Sequence, residues 1–121
     1  MGCGVMERKV RDRPLKPNEL AARAIISKLQ CAAKVNSNNI LFFAIIERAV
    51  RDYCDLLNPK VVKGLKVNYG LKQRHRDAAR LAEQAERFFR ESLFEQYCDF
   101  VFLDADYARK IIFHVVEVQA A

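Results

Sequence analysis

From Asn18 onward, apolar residues recur at the three- and four-residue spacing that lines one face of an α-helix. In the first such segment Leu20, Ile25, Ile26 and Leu29 share a face, with Asn18 placed to cap the helix and Glu19 favouring its positive end. This helix is expected to end near Val35, because Asn36-Ser37-Asn38-Asn39 predicts a turn that also caps the next helix. The second helix is expected over 40–57. It is apolar round much of its circumference at first and amphipathic later, through Ala49, Val50, Tyr53, Cys54 and Leu57. That pattern predicts a central helix with more than one neighbour. Asn58-Pro59 stops it, since the residue before proline is pushed out of the helical region and proline has no N–H to donate.

A third helix is expected over 73–91, with Ala78, Leu81, Ala82, Ala85, Phe88 and Phe89 inward. Its outer face offers two i,i+4 pairs, Glu83 with Arg87 and Glu86 with Arg90. Ser92-Leu93-Phe94-Glu95 has the spacing of a capping box and predicts a break at Ser92. A fourth helix then covers 93–102, and Asp104 caps a fifth over 105–118. The pattern predicts an all-α fold, a compact bundle of about five helices forming a single domain over 18–119. Residues 1–17 show no apolar periodicity and include Gly2, Gly4, Pro14 and Pro17, which predicts a basic, loosely ordered arm.

At 121 residues the chain can bury a core without disulfide or metal staples. No stretch approaches the ~18 uninterrupted apolar residues of a membrane span, since Glu47 and Arg48 interrupt the run from Ile40 to Ile46. The first residues, MGCGVMERK, have no apolar signal core, and Met6 stands where a myristoylation pattern requires Ser or Thr. A cytoplasmic location is expected. Cys3, Cys31, Cys54 and Cys98 form no CxxC pair, so neither zinc nor dithiol chemistry is indicated and no metal or cofactor is expected. Cys31, Cys54 and Cys98 fall in apolar helical patterns, where a thiol behaves as a small hydrophobe.

Charge changes the picture most. The chain carries 21 basic and 15 acidic residues, and six of the basic ones lie between Lys60 and Arg76 with no acid among them. The other 15 basic residues equal the acids in number, so the whole formal net charge of +6 is assigned to that stretch. Gly64 and Gly70 predict a loop here, although Val61, Val62 and Val67 have the β-branched character of a short strand or hairpin. The segment reads either as a solvated basic loop or as a surface that meets the phosphates of nucleic acid. On the second reading Lys60, Lys63, Lys66, Lys72, Arg74 and Arg76 contact phosphates and Tyr69 offers a stacking platform. The arm, with Arg8, Lys9, Arg11, Arg13 and Lys16, extends the same surface.

The pair of helices around Asp104 has the apolar spacing of a helix-turn-helix, with Arg109 and Lys110 on the exposed side as further contacts. Asp104 and Asp106 at the start of the second helix oppose phosphate binding there, and an ordinary helical corner accounts for the same spacing. Catalysis has no constellation to rest on. His75 lies between two arginines and reads as a surface residue, and His114 reads as packed on the apolar side of the last helix. Asp52 and Asp55, with Glu47 and Arg51, read as the solvated face of the second helix. A non-enzymatic protein is expected, its partner either nucleic acid (DNA or RNA) or an acidic host protein, with no membrane. Apolar rings left over from the core would point to a homodimer.

Two blocks, LFFAIIERAVRDYCDL at 41–56 and AERFFRESLFEQYCDFVFLDADYARKI at 85–111, resemble a pattern in small helical proteins of bacterial phages and prophages. The shared parts are the Ala-Ile-Ile-Glu core with Arg-Asp-Tyr, then Phe-Phe, a capping Ser, Phe, Cys and Leu-Asp. Similar sequences tend to have Gly before the Leu-Asp, where this chain has Phe102. The resemblance implies a small intracellular helical protein of viral or prophage origin and carries over no site residue.

Overall fold

The computed structural model describes residues 15–59, 61–62 and 73–120. Among them the protein is all-α, a bundle of five helices: α1 (Pro17–Ala32), α2 (Ile40–Cys54), α3 (Gln73–Arg90), α4 (Ser92–Phe100) and α5 (Ala105–Ala120). A single 3-10 turn, Asp55–Leu57, continues α2. The arm expected at 1–17 lies almost wholly outside the described residues. So does most of the expected loop, but its beginning is helical: Val61 and Val62 donate to the Asn58 carbonyl at 3.0 and 3.2 Å, and Val61 is buried. Asn58-Pro59 therefore ends one helix and starts another turn, for which the fixed φ of proline is already suited.

α2 is the centre of the bundle and packs on α1, α3 and α4. The buried face of α3 is made of Ala79, Ala82, Ala85 and Phe89, of which Ala85 and Phe89 join the core around α2. Phe89 is fully buried, with Tyr53, Phe94 and Phe113 presented edge-on at 5.7, 5.2 and 6.2 Å between ring centres. Such edge-to-face pairs contribute about 0.5–1.5 kcal/mol each beyond the area they bury. Ile25, Leu29, Ile46, Val50, Phe94, Val101 and Ile112 complete the core.

Three expected caps take other forms. Helix α1 begins two residues earlier, with Lys16 preceding Pro17 at the first helical position. Asn18, inside the first turn, sends its amide to Asp55 Oδ1 at 3.0 Å and ties α1 to the end of α2. Asn39 precedes α2 without capping it by its side chain. Buried among apolar residues, it accepts from the Asn36 N–H at 2.7 Å and donates to the carbonyls of Lys34 and Phe100 at 2.8 and 3.0 Å. The capping box does not form, because Ser92 already lies in α4 and Glu95 turns to Arg109 at 2.9 Å. Asp104 does cap α5, its carboxylate accepting from the Asp106 N–H at 3.0 Å.

The corner between α4 and α5 closes in the double hydrogen-bond pattern of a Schellman turn. Leu103 donates to the Cys98 carbonyl at 2.9 Å and Phe102 to the Asp99 carbonyl at 3.1 Å. This places Phe102 at φ 57°, where glycine is favoured, with its ring largely in solvent. The departure from Gly leaves the turn intact and moves the cost onto one residue's backbone.

Candidate nucleic-acid interface

Of the expected phosphate contacts, Lys60, Lys63, Lys66, Tyr69 and Lys72 lie outside the described residues. Arg74 and Arg76 occupy the first turn of α3, where no acid is present. Cations at a helix N-terminus face the positive end of the helix dipole, an arrangement that costs stability and is relieved by an anion. Arg74 is exposed. Arg76 is half-buried and donates to Gln73 Oε1 at 2.6 Å, while Gln73 and Arg80 both donate to Asp77 Oδ1 at 2.9 and 2.6 Å. The first acid of this helix is thus engaged with Arg80 and Gln73.

Arg109 and Lys110 diverge. The Arg109 side chain folds back on the α4–α5 corner. Its Nε–H donates to the Phe89 carbonyl at 2.7 Å and its Nη2 to the Glu91 carbonyl and Glu95 at 3.3 and 2.9 Å, with Asp106 at 3.5 Å from Nη1. It supplies a donor to the Phe89 carbonyl where α3 ends and a second one to the Glu91 carbonyl, which also accepts from the Phe94 N–H at 3.2 Å. Lys110 is exposed and makes no ion pair among the described residues. It lines a groove of about 700 Å³ with Lys28, Arg90, Phe113 and His114. His114 is exposed here rather than packed, since Ile112 and Val116 take the buried positions of α5.

A second groove, of about 580 Å³, runs between α2 and α3 and is almost wholly apolar. Leu41, Ala44, Ile45 and Leu81 stand exposed along it, with Ala85 and Phe88 beneath. Leu81 was expected in the core; the buried face of α3 is turned about one residue, to Ala79, Ala82, Ala85 and Phe89. The sequence signal for this groove is the apolar circumference of α2, which has more hydrophobic surface than its three neighbours cover. From that groove, rings continue through Phe88, Tyr97 and Phe42 to Phe100.

The acids of α2 are less solvated than expected. Asp52 and Asp55 are partly buried, and burial is the main cause that raises both carboxyls above 3.8. Arg48 counteracts this at Asp52, as the Asn18 amide does at Asp55. The buried thiols of Cys54 and Cys98 are pushed up to about 12 by desolvation, whereas Cys31 is exposed and not part of the core. Of the two expected ion pairs on α3, Glu86 with Arg90 forms at 3.3 Å; Glu83 and Arg87 do not bridge.

Among the described residues no group of three His, Cys, Asp or Glu side chains is placed to hold a metal ion, and no helix is long and apolar enough to cross a membrane. Comparison of the chain with protein-family models, with curated proteins and with solved structures gave no match.

Proposed function

We propose that this is a nucleic-acid-binding accessory or regulatory protein of phage or prophage type that holds phosphates through the segment from Lys60 to Arg76. The observation that carries the reading is six basic residues in that segment without an acid, two of them, Arg74 and Arg76, in a first turn of α3 that holds no carboxylate. Elsewhere, Arg48, Arg51, Arg80, Arg90 and Arg109 are each matched by a carboxylate within 4 Å. The α4–α5 corner is the weaker contact, because Asp104 and Asp106 open its second helix and Arg109 is held by the corner itself. If all six cations neutralise phosphates, log affinity for duplex DNA falls against log salt with a slope of roughly −5, from about −0.9 per phosphate. Mobility shifts over a salt series measure it, and a slope near zero, or no binding at low salt, refutes the reading. Changing Lys66, Lys72 and Arg74 to Glu should abolish the shift while the helical signal is kept.

The apolar groove between α2 and α3 favours a second reading, a protein-interaction module seated on a host protein or on a second copy of this chain. Leu41, Ile45 and Leu81 there form the kind of exposed apolar surface that marks protein contacts. A stoichiometric protein partner retained after nuclease treatment supports this reading over the first.

A further inference from the structure

We propose that the groove between α1 and α5 is a nucleotide-sized site, in which Lys28 and Lys110 hold a phosphate and the stacked pair Arg90 and Phe113 carries the base. This rests on the nucleic-acid reading but concerns a different face and different residues. Lys110 and His114 are one helical turn apart on α5, and Lys28 is brought to them by the packing of α1 on α5. Lys28 and Lys110 are both exposed, and neither makes an ion pair among the described residues. The other two cations lining the groove are already answered, Arg90 by Glu86 and Arg109 by Glu95 and Asp106. The available positive charge is therefore confined to the two lysines, and its size suits one phosphate.

Beside them the groove changes character. The Arg90 guanidinium lies 4.5 Å above the Phe113 ring, and Glu86 holds it there at 3.3 Å. Phe113 is itself held edge-on by Tyr53 and Phe89, so the pair offers a cationic, aromatic shelf on which a nucleobase can stack. Ile111 and Val115, both half-buried, supply an apolar floor. The one acid lining the groove, Glu117, lies about a turn beyond His114 and disfavours a second phosphate at that end. The volume of about 700 Å³ falls within the usual range of small-ligand sites. A phosphate with an attached planar base fits this division of charge and stacking surface; it can come from a single strand or from a free mononucleotide.

The test compares the full chain with a Lys28→Glu/Lys110→Glu variant and, separately, with the Lys66→Glu/Lys72→Glu/Arg74→Glu variant. Each is titrated with a fluorescent single-stranded oligonucleotide, with adenosine monophosphate and with inorganic phosphate, following anisotropy for the strand and amide NMR shifts for the small ligands. The groove variant should weaken strand binding about tenfold or more and reduce the salt slope by about 0.7, the value expected for one phosphate of a single strand. Adenosine monophosphate should move the amides of 110–115 in the parent chain and not in that variant. Nucleotide binding at this groove without any effect on the strand identifies a free mononucleotide as its ligand and still supports the site. Inorganic phosphate giving the same shifts at the same concentrations removes the base from the site and overturns the proposal. Wild-type strand affinity and slope in the groove variant, with no shift from the mononucleotide, overturns it too. Loss of strand binding in the Lys66/Lys72/Arg74 variant would then show that the broader reading survives.

Discussion

Replacing Phe102 by glycine and, separately, by alanine isolates the energy held in the turn between α4 and α5. Phe102 has φ 57° and donates to the Asp99 carbonyl at 3.1 Å, and the next residue donates to Cys98 at 2.9 Å. An L-residue in this region costs roughly 1–2 kcal/mol because its Cβ crowds the backbone. Glycine avoids the crowding but loses about 0.4–1 kcal/mol through the greater freedom of its unfolded chain. Phe102→Gly should therefore be roughly 0.5–1 kcal/mol more stable than Phe102→Ala. The ring enters both variants equally and cancels. With 64% of the residue exposed, about a third of the ~1.5–3 kcal/mol of a buried Phe is at stake. Phe102→Gly should thus lie close to the parent chain, its relief offset by the lost ring, with Phe102→Ala below both. Urea denaturation with unchanged slope measures the three chains on one scale. An alanine variant as stable as the glycine variant would refute the reasoning, since it would mean that the turn stores no backbone cost.

Two further outcomes follow from the same geometry. Asp55 has its carboxyl raised by burial, so ionising it costs stability in the folded chain. That cost is absent below the ordinary value of 3.8 and grows as pH rises through the elevated folded value, so Asp55→Asn, which can still accept from Asn18, should stabilise the protein at neutral pH. Thermal melts across pH should show the gain vanish in acid; an equal gain at all pH values refutes the assignment. Arg109→Lys keeps the charge but cannot reach Phe89, Glu91 and Glu95 together, and should cost about 1–3 kcal/mol in chemical denaturation, against little change for Lys110→Ala on the open side.

Helix positions were legible along the chain because their signals are local. The spacing of Ile25, Ile26 and Leu29, the stop at Asn58-Pro59, the break near Ser92 and the Asp104 cap each depend on residues within a turn or two, and the structure keeps them. The chain alone also determined where the charge excess lies, since counting requires no fold. Polar partners were a different matter. Asn18 could serve its own helix or Asp55, 37 residues away, and Glu95 could serve Ser92 or Arg109; local geometry permits both in each case, and the bundle decides. Asn39 is joined to Phe100 across 61 residues and shows no trace of this in its neighbours. Burial was decided in the same way. A helix apolar on several sides does not reveal which side lacks a neighbour, so Leu41, Ile45 and Leu81 emerged as a groove only once α3 buried Ala79, Ala82 and Ala85 instead of Leu81. His114 likewise moved from an apolar face to an open one beside Lys28 and Lys110, a grouping drawn from two helices far apart in the chain. Periodicity is a property of neighbours in sequence, and it fixed the helices; coverage and pairing are properties of neighbours in space, and only the packed bundle could supply them.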